Sequence, residues 1–164
     1  MKALIIGPSL SGKTTIVRYL RQNTDIPVSE IDEELTRLNK GAFPSDDKYK
    51  HEVLVPQVID SVLKEDTILF FTNTDYFHQE DLETAKSKGF KIVQLALDLK
   101  ELEKRNTLRV DNEGYSDLGG WLKGMVGYQK KIGELGLVDI TLDASLPTAK
   151  IANILLDAVK LSNT

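Results

Sequence analysis

A chain of 164 residues, 41% hydrophobic and 28% charged, has the size and composition of one soluble domain with a real core. Its formal charge of −4 offers no basic field to nucleic acid or to an anionic membrane surface, so neither partner is expected. The absence of cysteine excludes disulfides and thiolate metal sites.

The first apolar run, Ala3–Ile6, reads as a buried strand closed by Gly7 and Pro8. It is too short for a secretory h-region, and no later stretch nears the roughly 18 apolar residues of a membrane span. A cytoplasmic protein, monomeric or homodimeric, is therefore the expectation. Gly12 to about Arg21 reads as a helix, Pro27–Ile31 as a weaker strand, and Glu33 to about Asn39 as a short helix. Tyr49–Lys64 is helical, with Pro56 starting or kinking its main part. Thr67–Thr72 is an apolar β-rich run, Gln79–Lys88 a helix stopped by Gly89, and Lys91–Leu97 a strand. Asp98 and Glu101 form a capping box that opens a helix to about Leu108. A polar loop, Val110–Gly120, leads to a partly helical Trp121–Leu135, a last strand Val138–Leu142, and a helix Pro147–Leu161. Strands alternating with helices predict an α/β fold: a three-layer sandwich with a five-stranded parallel central sheet, in one domain spanning 1–164. Ligands of such a sheet gather at the carboxyl ends of its strands, after Ile6, Ile31, Thr72, Leu97 and Leu142.

Directly after the first strand stands Gly7-Pro8-Ser9-Leu10-Ser11-Gly12-Lys13-Thr14, followed by Thr15. This is GxxxxGK[ST] in full. The glycines let the backbone curl so that its N–H groups face phosphate oxygens, and the helix beyond aims its positive end at the same place. Lys13 is placed to reach the β- and γ-phosphates, and the Thr14 hydroxyl to ligate Mg²⁺. The pattern therefore points to a nucleoside triphosphate, ATP first, with Mg²⁺. The GTPase elements are missing: Asp111-Asn112-Glu113-Gly114 lies in a polar loop after a helix, and Asn39-Lys40-Gly41-Ala42 lacks the closing Asp of NKxD. The chain has only five arginines, and two of them, Arg105 and Arg109, stand one helical turn apart, where they can converge on phosphates.

The phosphate loop resembles that of the small P-loop kinases, the adenylate, shikimate and nucleoside kinase group. Three weaker stretches fit the same group. Val28-Ser29-Glu30-Ile31-Asp32-Glu33-Glu34 looks like a second strand followed by the DxD of shikimate kinases, here Asp32 and Glu34. The resemblance implies that Asp32 helps hold Mg²⁺ and that Glu34 contacts the acceptor. Leu102–Arg109 looks like the arginine-bearing helix before a mobile lid, here about 109–120. Asp143-Ala144-Ser145-Leu146-Pro147 stands where such kinases pass the chain over the adenine. The acceptor is then expected against the segment 33–60, with Arg37 as a ligand for an acceptor phosphate. Two departures stand out. The segment Ala42–Val58 lacks the arginine signatures of shikimate and gluconate kinases, and Asn73-Thr74-Asp75 replaces a Gly-rich turn. Asp75 is accordingly the alternative metal acid to Asp32. The first expectation is a kinase that phosphorylates a small hydroxyl-bearing molecule such as a nucleoside or nucleotide. The alternative is a P-loop ATPase or nucleotide-binding module without such an acceptor.

Overall fold

A computed structural model describes residues 1–161 of the protein. Alternation within the first strand sets the layering. In β1 (Lys2–Gly7), Ala3 and Ile5 point to one face of the sheet and Leu4 and Ile6 to the other, and all four are sealed from solvent. A strand apolar on both faces must be central. β1 pairs in parallel with β3 (Ile68–Asn73) on one edge and β4 (Lys91–Ala96) on the other. β2 (Val28–Glu30) lies beyond β3 and β5 (Ile140–Asp143) beyond β4, giving the order β2-β3-β1-β4-β5 with every pairing parallel.

Two apolar clusters flank the sheet. On the Ala3 face, α1 (Lys13–Asn23), α6 (Leu99–Glu113) and α8 (Thr148–Leu161) supply Leu20, Leu102, Ile151 and Leu155. On the Leu4 face, α2 (Ile31–Leu38), α4 (Val55–Val62) and α5 (Gln79–Ser87) supply Leu35, Val58 and Leu82. The predicted five-stranded three-layer sandwich is present. No helix among the described residues is long and apolar enough to cross a membrane.

Three boundaries differ from the sequence reading. α2 starts at Ile31 rather than Glu33, because β2 is only three residues long and Glu30 already takes the N-cap position. α6 continues to Glu113, where Gly114 at φ 68° ends it, so the first part of the expected lid is helix. The helical stretch before Pro56 is built in pieces: α3 (Asp47–Tyr49), then a π-helical turn over Lys50–Leu54, with Pro56 in the first turn of α4. Pro56 has no N–H to continue a ladder, and the wider turn lies immediately before it.

The seventh helix, α7 (Leu122–Glu134), gives Leu122 to the first cluster and Ile132 to the second. It is pinned to the end of β4 by a buried amide. Gln129 Oε1 accepts from the Leu97 N–H at 2.8 Å and Gln129 Nε2 donates to the Leu97 carbonyl at 2.9 Å, while Gln94 Nε2 donates to the Gln129 carbonyl at 2.9 Å. Gln129→Ala would leave two backbone groups of Leu97 buried and unpaired. The expected cost is about 2–4 kcal/mol of unfolding free energy in urea denaturation, against about 1 kcal/mol or less for Lys130→Ala on the same helix.

Candidate active site

β1 empties at Gly7, opposite Asn73 of β3. Only glycine fits there: a Cβ would lie 2.8 Å from Ser11 Oγ and 3.0 Å from Leu95 Cβ. The chain then curls, with the Ser11 N–H donating to the Pro8 carbonyl at 3.2 Å and Leu10 at φ 77°. Gly12, at φ 86°, is the N-cap of α1, and no side chain caps that helix. Its positive end is therefore open to an anion. Lys13 folds back over the loop: Nζ donates to the carbonyls of Gly7 at 2.8 Å and Pro8 at 2.7 Å, and to Ser11 Oγ at 3.3 Å. Burial lowers the Lys13 pKa to about 8, against the pull of the carboxylates of Asp32, Glu30 and Asp75.

The acids are arranged differently from the DxE reading. Thr14 Oγ1 donates to Glu30 Oε2 at 3.2 Å, and Asp32 lines one cleft with Lys13 and Thr14. Burial raises the pKa of the Asp32 carboxyl, opposed by Lys13 and Lys50; burial and then Glu33 raise that of Glu30. Glu34 turns away. Its carboxylate accepts from Ser29 Oγ at 3.1 Å and from Arg37 Nε and Nη2 at 3.1 and 2.7 Å. Neither Glu34 nor Arg37 lines the cleft or the second cavity. α2 starts at Ile31, so Asp32 and Glu34 both lie on the helix. Residues i and i+2 share a side on a strand but diverge on a helix. Asp32 and then Glu30 are the acids whose charge acts most on Lys13, Asp32 from the cleft wall and Glu30 through its bond to Thr14.

Arg105 and Arg109 both line the cleft, but only in part as expected. The Arg105 fork is already engaged by protein: Nη1 donates to the Leu10 carbonyl at 2.8 Å, Nη2 to the Ala144 carbonyl at 2.7 Å, and Nε to Glu101 Oε1 at 3.2 Å. Arg109 lies 4.2 Å over the ring of Tyr115. The foot of the expected lid is tied down by Asn106, whose Nδ2 donates to Asp117 Oδ1 at 2.7 Å while its Oδ1 accepts from the Leu118 N–H at 2.9 Å.

The cleft holding Lys13, Thr14, Thr15 and Asp32 encloses about 520 Å³. A second cavity of about 310 Å³ lies between the phosphate loop, the end of β3 and α7. Ser9 and Asn73 line both. Asp75 lines the second cavity and not the cleft, although its charge acts on both Lys13 and Asp32. Among the described residues no group of three or more His, Asp or Glu could hold a metal unaided. The oxygen donors Thr14, Asp32 and Glu30 fit Mg²⁺, which takes few protein ligands and completes its shell from phosphates and water.

No protein-family model matches the chain, and no curated protein sequence does so. Solved structures resemble it in fold. Shikimate kinase from Aquifex aeolicus vf5 superposes with a TM-score of 0.74 at 19% identity, over 98% of this chain and 96% of that one. Shikimate kinase from Acinetobacter baumannii, in complex with shikimate, gives 0.74 at 20% identity, over 99% and 94%. A gluconokinase from Sinorhizobium meliloti 1021 gives 0.58 at 13% identity, over 99% and 94%. At such identities the likeness is one of fold, and that fold is the one these small P-loop kinases carry.

Proposed function

We propose that the protein is a kinase that moves the γ-phosphate of ATP, or of another nucleoside triphosphate, to a hydroxyl of a small molecule. The observation that carries this reading is the pair of cavities that meet at Ser9 and Asn73, one bearing Lys13, Thr14 and Asp32 and the other bearing Asp75. A hydrolase needs room for one water beyond the γ-phosphate, whereas a kinase needs a second substrate cavity there.

In this reading the loop backbone and Lys13 take the β- and γ-phosphates, with the ammonium exchanging its bonds to the Gly7 and Pro8 carbonyls for phosphate oxygens. Thr14 and Asp32 hold Mg²⁺. Because Glu30 accepts the Thr14 hydroxyl proton, the lone pairs of that oxygen are turned to a cation. Bound Mg²⁺ supplies charge neutralisation on the phosphates. The acceptor oxygen bonds to the γ-phosphorus, the bond from that phosphorus to the β–γ bridging oxygen breaks, and the nucleoside diphosphate leaves. The hydroxyl proton passes to a carboxylate or to water. The protein contributes mainly position and charge, including Arg109 from α6.

The test is ADP release, measured with Mg-ATP and a panel of hydroxylated small molecules. Lys13→Ala is expected to lower kcat by about 10²–10³-fold while leaving the melting temperature within a few degrees. Arg109→Ala should lower kcat by more than it weakens ADP binding. If no small molecule accelerates ATP loss, the ATPase or binding-module reading replaces this one.

The acid assignment has its own check. Glu30→Gln should raise the Mg²⁺ concentration needed for half-maximal nucleotide binding, about tenfold or more, as loss of a metal-ligand partner does elsewhere. Glu34→Gln should stay within about twofold of wild type. The reverse result would restore the Asp32/Glu34 pairing.

Lys13 also predicts a pH effect. Its pKa is about 8 when folded and 10.5 when free, so the unfolded chain binds the extra proton between those values. The stability of the ligand-free protein, relative to Lys13→Met, should therefore rise as pH goes from 8 to 10.5 and stay level below 8. A flat difference across that window would show that Lys13 keeps its ordinary basicity.

A further inference from the structure

Resting on the kinase reading, we infer that the second cavity selects an uncharged acceptor built on an aromatic or similar flat ring, with a hydroxyl turned toward Ser9 and Asn73, rather than a hydroxy acid or a phosphorylated compound.

Four observations carry this. The α7 wall of the cavity is made of Trp121, Met125 and Tyr128, with Gly124 opening space between them. Trp121 is 70% exposed and Tyr128 49% exposed, although both are large rings beside a cavity rather than out on a convex surface. Flat apolar walls of this kind bind a ring by stacking and tolerate many rings. Second, no lysine or arginine lines the cavity, and its one charged group is the Asp75 carboxylate. A carboxylate or phosphate on the acceptor would meet repulsion and find no partner. Third, the cations of the expected acceptor segment do not serve this cavity. Lys50 lies 3.1 Å from Asp47 and against the rings of Phe43 and Tyr76, and Arg37 is bound to Glu34. Fourth, Thr74 lines the cavity, is 6% exposed, and its Oγ1 has no hydrogen-bond partner in the protein. A buried hydroxyl without a partner is costly, and a turn of the Thr74 side chain toward the cavity would let a polar ring substituent satisfy it.

The cavity is at the small end of ligand sites, about 310 Å³, which suits one or two rings. The phosphoryl group crosses at the shared wall. There the acceptor hydroxyl oxygen bonds to the γ-phosphorus as the bond to the β–γ bridging oxygen breaks, ADP departs into the cleft, and the hydroxyl proton moves to the Asp75 carboxylate.

Trp121 is the only tryptophan of the chain, so its emission reports on this cavity directly. The experiment takes the 164-residue chain with Mg-ATP. It compares thymidine, adenosine and 2-phenylethanol with thymidine monophosphate, shikimate and gluconate. Two signals are read: ADP release, and Trp121 fluorescence excited where the ligands do not absorb. The inference expects at least one uncharged ring-bearing alcohol to speed ADP release and to shift the emission saturably, with the acids and the phosphate ester inert. Trp121→Ala, at an exposed position that should fold, should raise the KM for that alcohol about tenfold or more with a smaller change in kcat. Thr74→Val removes the unpartnered hydroxyl, so it should raise that KM while leaving the melting temperature unchanged or higher.

Faster ADP release with a hydroxy acid or a phosphate ester, and not with its uncharged counterparts, overturns the inference and leaves the kinase reading standing. Saturable emission changes with ring-bearing alcohols but no acceleration by any compound overturn the kinase reading and leave the cavity as a ring-binding site. No response of emission or rate to any ring-bearing alcohol overturns the inference.

Discussion

One guanidinium fixes the shape on which the site depends. Arg105 reaches from α6 to the carbonyls of Leu10 and Ala144, and so joins the phosphate loop to the turn after β5. The loop needs such a tie. Leu10, a branched residue, is held at φ 77°, a conformation that costs about 1–3 kcal/mol and persists only where neighbours determine it. Hydrogen bonds from a charged donor are each worth about 1.5–3 kcal/mol, enough to offset that strain. The two arginines one turn apart in the sequence thus divide their work. Arg105 shapes the loop, while Arg109, lying over Tyr115, keeps its guanidinium beside the cleft.

Charge is the second constraint. Lys13 is one ammonium facing three carboxylates, those of Asp32, Glu30 and Asp75. In the proposed reading a divalent cation would balance the two carboxylates near Thr14, on the side where nucleotide phosphates enter. Asp75 is the one charged residue that lines the second cavity and gives it its negative character. In the proposed reading the two substrates are sorted by charge as well as by shape: a polyanion with its metal on one side, and an uncharged molecule on the other.

The layer architecture was legible because it depends on local pattern. Runs such as Ala3–Ile6 and Thr67–Thr72 are apolar on both faces, and only a central parallel strand buries both. The phosphate loop was legible because its glycines, lysine and threonine act within one short segment. The placement of the acids was harder to read because it turns on where a strand becomes a helix. Starting α2 at Ile31 rather than Glu33 puts Asp32 and Glu34 on one helix, where they diverge, and leaves Glu30 at its N-cap against Thr14. The second cavity was legible only on one side, at the ends of the first and third strands, and not in its α7 wall. Its walls come from Pro8, Thr74 and Tyr128, far apart in sequence, and are brought together by Gln129 fixing α7 to β4.

The central claim is that the Gly7–Thr14 loop holds the transferring phosphates, with the γ-phosphate facing the Ser9–Asn73 wall. A crystal structure with Mg²⁺ and a non-hydrolysable ATP analogue tests it most directly. The account predicts that Lys13 Nζ leaves the Gly7 and Pro8 carbonyls for β- and γ-phosphate oxygens, with the metal between Thr14 and the terminal phosphates. A nucleotide bound elsewhere, with Lys13 still bonded to both carbonyls, would contradict it.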